Sequence, residues 1–120
     1  MTPMMMRIGC EFTFDSGHYI KDHPGPCKAT HGHTYRLEVV VQGPVRSDGM
    51  VMDFQKVKDV VRRDVVSVLD HQLLNDIIEN PTVEGCIDWI WARLEKELPL
   101  ASVRLWEGEG KWAEKTAASR

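Results

Sequence analysis

The sequence predicts an α+β fold in which strands at the two ends of the chain flank a pair of amphipathic helices. Three observations carry this. Apolar and polar residues alternate over residues 7–18 and again over 34–42, the period of a half-buried strand. Apolar residues then recur at helical spacing over 54–69 and 82–98, and alternation returns at 101–107. At 120 residues the chain is expected to be one domain with a real but modest core.

The first strand places Ile8, Cys10, Phe12 and Phe14 on one side and Gly9, Glu11, Thr13 and Asp15 on the other. Continued alternation puts His18 on the buried side at the strand's end. Taken alone, His18 reads as a strand-end residue in a turn. Asp22, Pro24, Gly25 and Pro26 mark residues 19–30 as a loop carrying Cys27, and His23 reads as a solvated loop residue. The second strand alternates through Tyr35, Leu37, Val39 and Val41 and ends at Gly43-Pro44. Antiparallel pairing of these two strands brings His18 toward His31 and His33.

Asp48-Gly49 reads as a turn and residues 50–52 as a short extended piece. Asp53 is a candidate N-cap for a helix whose stripe is Phe54, Val57, Val60, Val61, Val65, Val68 and Leu69. Its valines are poor helix formers, so the helix depends on packing. Asp70-His71 falls at the helix end, where a histidine suits the dipole; the chemical alternative is a carboxylate that orients an imidazole for proton transfer. Thr82 is a candidate N-cap for a second helix, with Val83, Cys86, Ile87, Ile90, Leu94 and Leu98 buried and Pro99 as its stop. Val103 and Leu105 alternate with Arg104 and Trp106 in a strand over 101–107, with Glu107 on the apolar parity. Gly108-Glu109-Gly110 is a turn, Trp112-Ala113 a brief strand, and residues 1–6 and 115–120 are expected to be loose.

Composition excludes several classes of function. A net charge of -3 leaves no electrostatic footprint for nucleic acid, and no stretch has the length and apolarity to span a bilayer. Three scattered cysteines argue against a disulfide framework and for a reducing, cytoplasmic setting, with Cys10 and Cys86 as core residues. The chemistry concentrates in Cys27-Lys-Ala-Thr-His31-Gly-His33. In an extended segment His31 and His33 point the same way and can share one ion, with Gly32 between them letting the backbone bend. Neutral imidazole is a common zinc ligand, and a catalytic zinc takes three protein ligands. Lys28 and a nearby metal charge would favour the Cys27 thiolate.

In ordered combination these residues resemble the 6-pyruvoyl-tetrahydropterin synthase and 6-carboxy-tetrahydropterin synthase family. The shared motifs are Phe12-x-Phe14 followed by His18, Cys27-x-x-x-His31-Gly-His33, Gly49-Met-Val-Met-Asp53-Phe54, Leu69-Asp70-His71-x-x-Leu74-Asn75, Pro81-Thr82-x-Glu84, and Glu107. The resemblance implies the tunnelling fold: a four-stranded antiparallel sheet with two helices on one face. Such subunits close into barrels, commonly as trimers stacked into hexamers, with active sites between subunits. It further implies one zinc ion per subunit held by His18, His31 and His33, Cys27 as the thiolate base, Asp70 and His71 as the pair that returns the proton, and Glu107 as a bidentate anchor for the pterin.

The spacing from Cys27 to His31 is similar to that of the 6-carboxy enzymes of 7-deazapurine (queuosine and archaeosine) biosynthesis. Those convert 7,8-dihydroneopterin triphosphate to 6-carboxy-5,6,7,8-tetrahydropterin with loss of acetaldehyde and triphosphate. The alternatives are the 6-pyruvoyl enzyme, which eliminates triphosphate and keeps the carbon chain, and cleavage of dihydroneopterin to 6-hydroxymethyl-dihydropterin. A non-catalytic zinc or pterin-binding module, with Cys27 as a fourth ligand, is the reading from another class. Two positions depart from the family pattern: Gly85 stands where Asn is usual, and Gly108 where a hydroxyl residue is common.

Overall fold

The computed structural model describes residues 4–118 apart from 22, 24 and 26–28. Strand β1 (Met5–His18) pairs antiparallel with β2 (His31–Pro44), in register from Met5 opposite Pro44 to His18 opposite His31. β2 pairs with β3 (Leu100–Glu107), and β3 with β4 (Trp112–Thr116), so one antiparallel sheet runs in the order β1-β2-β3-β4. Alternation explains which side is covered. Cys10, Phe12 and Phe14 of β1, Tyr35, Leu37, Val39 and Val41 of β2, and Val103 and Leu105 of β3 are buried in one cluster with the helices. Cys10 and Cys86 are free, buried thiols, in line with the strand parity of Cys10 and the helical stripe of Cys86.

The first helix, α1, consists of three consecutive segments: Phe54–Val61, a π-helical turn at Arg62–Val66, and Ser67–Leu69. Asp53 caps it, its carboxylate accepting the Gln55 N–H at 2.8 Å. The π-turn admits an extra residue and frees a carbonyl from the ladder. Arg93 Nε donates to the carbonyl of Asp64, within this turn, at 2.7 Å, tying α1 to the second helix, α2 (Val83–Leu94). Thr82 caps α2, its hydroxyl accepting the Gly85 N–H at 3.0 Å. Val57, Val60, Val61, Val65 and Leu69 of α1 and Cys86, Ile87, Ile90 and Leu94 of α2 meet the sheet. Burying an aliphatic side chain of this size contributes about 1.5–3 kcal/mol, which offsets the weak helix propensity of the valines.

Several boundaries differ from expectation. The His31-Gly-His33 stretch belongs to β2 itself, with Gly32 paired opposite Gly17 instead of bending. β1 begins at Met5 and β4 reaches Thr116, because β-pairing extends into stretches expected to be loose. Residues 51 and 52 form a bend, not an extended piece, and Phe54, the first residue of α1, is half exposed. α2 ends at Leu94, before Pro99; a following turn returns buried Leu98 to the core through its N–H on the Leu94 carbonyl.

Candidate metal centre and active site

Even positions of β1 and odd positions of β2 share the helix-covered face, so His18, His31 and His33 converge there. His18 lies directly across from His31, and His33 across from Ser16. The Gly17–Gly32 pair lets the strands close at this point; a Cβ on Gly17 would lie 3.2 Å from the His31 carbonyl oxygen. The ring centroids are 4.6 Å apart for His18–His31, 5.1 Å for His18–His33 and 4.8 Å for His31–His33. One ligand nitrogen from each ring lies within 4.8 Å of the others.

Hydrogen bonding sets which nitrogens face the centre. His18 Nδ1 is 2.7 Å from the Pro81 carbonyl oxygen, and His31 Nδ1 is 2.7 Å from that of Ala29. A carbonyl only accepts, so both rings carry a proton on Nδ1, which in the neutral imidazole leaves the lone pair on Nε2. The Tyr35 hydroxyl, 3.4 Å from His18 Nδ1, therefore cannot donate to it. The Nε2 atoms of His18 and His33 are buried and have no hydrogen-bond partner. The Glu107 carboxylate faces them, at 3.8 Å from His18 Nε2 and 3.3 Å from His33 Nε2. Burial holds the His33 pKa below the usual histidine range, against the opposing pull of Glu107, and the neighbouring His18 and His31 add to the lowering. Buried, unpartnered Nε2 atoms gathered around a carboxylate suit a cation. Three imidazoles match the donor set of a zinc site that keeps a position open.

The Asp70-His71 pair lies elsewhere in the chain's own fold. The segment runs along the outer edge of β1, and the pair forms a second cluster with Asp15, its candidate ligand atoms within 4.8 Å of one another. The Asp15 N–H donates to Asp70 Oδ1 at 2.9 Å, and the His71 N–H donates to the Asp15 carbonyl at 2.6 Å. Asp70 Oδ2 is 2.9 Å from His71 Nδ1. First the Asp15 N–H and then His71 hold the Asp70 carboxyl below the usual carboxylate range. His71 adopts φ +58°, rare for a residue with a side chain, and its ring is 78% exposed. Cys27 lies outside the described residues.

Sequence reasoning gave no site role to Asp15, Pro81 or Tyr35. Tyr35 carries the parity of His33 two residues further along β2, and its fully buried ring lies edge-on to His18 and His33. Pro81 acts through a backbone carbonyl, for which side-chain identity gives no signal. The Gly108 departure has a backbone cause: it sits at φ +67° and turns the chain out of β3 just after Glu107.

A family profile described as 6-pyruvoyl tetrahydropterin synthase matches residues 7–118. The chain is 45% identical over 109 residues to a Pyrococcus furiosus protein named dihydroneopterin monophosphate aldolase, covering 88% of this chain and 92% of that one. It is 39% identical over 99 residues to a Synechocystis protein named 6-carboxy-5,6,7,8-tetrahydropterin synthase, covering 77% of each. Among solved structures, Caenorhabditis elegans 6-pyruvoyl tetrahydropterin synthase superposes with a TM-score of 0.87 at 20% identity, over 97% of this chain and 98% of that one, a likeness of fold. With the four-stranded sheet, the two helices and the three converging histidines on the page, the chain belongs to the 6-pyruvoyl tetrahydropterin synthase family of enzymes.

Proposed function

We propose that this protein is a zinc-dependent lyase that takes 7,8-dihydroneopterin triphosphate and water to 6-carboxy-5,6,7,8-tetrahydropterin, acetaldehyde and triphosphate, a step of 7-deazapurine biosynthesis. The observation that carries the reading is the pair of buried, unpartnered Nε2 atoms on His18 and His33, converging with His31. These three imidazoles are the zinc ligands. When bound, zinc supplies a Lewis acid that acidifies C–H and O–H groups beside the substrate oxygens. Glu107, then balanced by that charge, is free to accept two N–H donors from the pterin edge and fix its orientation. Cys27 is the base that takes the side-chain proton, a role that rests on its spacing from His31. His71, oriented by Asp70, hands a proton back.

Asp70-His71 clusters with Asp15, separately from the three histidines, so in this reading it serves the site of a neighbouring copy. The family's barrel-closed oligomers, with active sites between subunits, supply that arrangement. Both outer strands, β1 and β4, have an unpaired edge along much of their length, which barrel closure would satisfy. The high exposure of the His71 ring in the single chain supports the same view.

A second reading is favoured by one finding. The Pyrococcus furiosus relative is named an aldolase of dihydroneopterin monophosphate. On that precedent the same centre would cleave the side chain and leave 6-hydroxymethyl-dihydropterin. Incubation of the zinc-loaded protein with 7,8-dihydroneopterin triphosphate, and separately with the monophosphate, followed by mass spectrometry decides between them. A carboxylated pterin with acetaldehyde supports the lyase; a hydroxymethyl pterin supports the aldolase; a retained three-carbon chain assigns the 6-pyruvoyl reaction.

A further inference from the structure

The peptide group joining Pro81 to Thr82 is held at both ends. Its carbonyl oxygen meets His18 Nδ1 at 2.7 Å, and its N–H donates to the Asn80 carbonyl at 2.9 Å, closing a three-residue turn around Pro81. The Asn80 carbonyl in turn lies against Gly85, in the first turn of α2. A Cβ placed on Gly85 would fall 2.0 Å from the Asn80 oxygen, 3.2 Å from its carbon and 3.3 Å from Thr82 Oγ1. The nearest obstacle is backbone and cannot swing aside as a side-chain tip can. Gly85 lies within the helix, so what the position demands is space and not a left-handed backbone.

We propose that Gly85 is a positioning residue for the metal centre. Its missing side chain lets the Asn80 carbonyl seat against α2. That fixes the plane of the Pro81–Thr82 peptide, and the Pro81 carbonyl then fixes the tautomer and orientation of His18. A side chain at residue 85 displaces Asn80, breaks the turn and carries the Pro81 carbonyl away from His18. The ring then loses the bond that holds its proton on Nδ1 and its lone pair on Nε2. This rests on the metal reading above, and it gives a reason for glycine where the family usually has asparagine.

The test uses Gly85→Ala, with Ile90→Val as a destabilised control on the same helix, away from the turn. In the metal-free protein, long-range 1H–15N NMR of the imidazoles reports the His18 tautomer; competition against a chelator reports zinc affinity; circular dichroism and melting report folding. The wild type should show the Nδ1–H tautomer. Gly85→Ala should show a mixed tautomer and bind zinc about 10- to 100-fold more weakly, whereas Ile90→Val keeps wild-type values of both at a lowered melting temperature. Should Gly85→Ala not fold, Pro81→Ala, which loosens the same turn without adding bulk, should show the same tautomer change. A folded Gly85→Ala with wild-type tautomer and zinc affinity overturns the inference, as does an unchanged tautomer in Pro81→Ala when Gly85→Ala does not fold. Absence of zinc binding by the wild type would instead overturn the metal reading, and the tautomer measurement would still judge the link from Gly85 to His18.

Discussion

Asp15 holds both members of the Asp70-His71 pair through its own peptide groups. Its N–H reaches Asp70 at 2.9 Å and its carbonyl accepts the His71 N–H at 2.6 Å. The strand edge thus over-determines a residue at φ +58° that a free chain would seldom adopt. Backbone strain of this kind costs about 1–3 kcal/mol and marks a position worth testing for function.

Replacing His71 by glycine removes the strain and the imidazole together. Relief of the left-handed conformation, about 1–2 kcal/mol, is partly offset by the greater unfolded-state freedom of glycine, about 0.5–1 kcal/mol. His71→Gly should therefore match or exceed wild type in urea denaturation while turnover falls by about 10²- to 10⁴-fold. A large loss of stability would show that the ring is structural.

If Asp70-His71 of one copy completes the site of the next, two inactive variants should complement. Mixed, unfolded and reassembled in equal amounts, Cys27→Ala and His71→Ala should regain about one active site in four, whereas either alone stays inactive. No recovery in a verified mixed oligomer would place the pair and the thiol in the same chain's site.

Asp70 also gives a pH signature. Its carboxyl is held below the usual range, chiefly by the Asp15 N–H and then by His71. A depressed carboxylate contributes stability in full above its unfolded pKa, about 4, and loses it as pH falls through the lower folded value. Denaturation of wild type and Asp70→Asn should differ at pH 6 and converge in acid below that folded value. A gap that persists there would mean that the effect is steric.

Metal content separates the two halves of the seven-residue stretch. His18→Ala, His31→Ala and His33→Ala should each weaken zinc binding by more than about 100-fold, since loss of an outer hydrogen bond alone costs 10- to 100-fold. Cys27→Ala should keep zinc and lose turnover. Cobalt substitution adds a check, because a sulfur ligand gives an intense charge-transfer band that a purely imidazole site lacks.

Parity made much of this legible in advance. Alternation along β1 and β2 placed His18, His31 and His33 on one face, and the caps Asp53 and Thr82 announced the helices. Two kinds of information were missing from the sequence. Strand ends are set by pairing partners, which is why β1, β2 and β4 run longer than their own patterns suggest. Backbone groups carry no residue signature, so neither the Pro81 carbonyl behind His18 nor the Asp15 amide behind Asp70 could be read from side-chain types. The separation of Asp70-His71 from the three histidines belongs to the same class, since it depends on which side of β1 the chain docks after leaving α1.

The buried, unpartnered Nε2 atoms of His18 and His33 beside Glu107 leave polar groups unsatisfied at the centre of the fold. A cation that resolves this conflict and binds the folded chain more tightly than the unfolded one would link occupancy to folding. Stability then rises by about 1.4 kcal/mol for each tenfold increase in free metal beyond its Kd. For such a cation the melting temperature is expected to rise with metal supply, and a chelator to lower it.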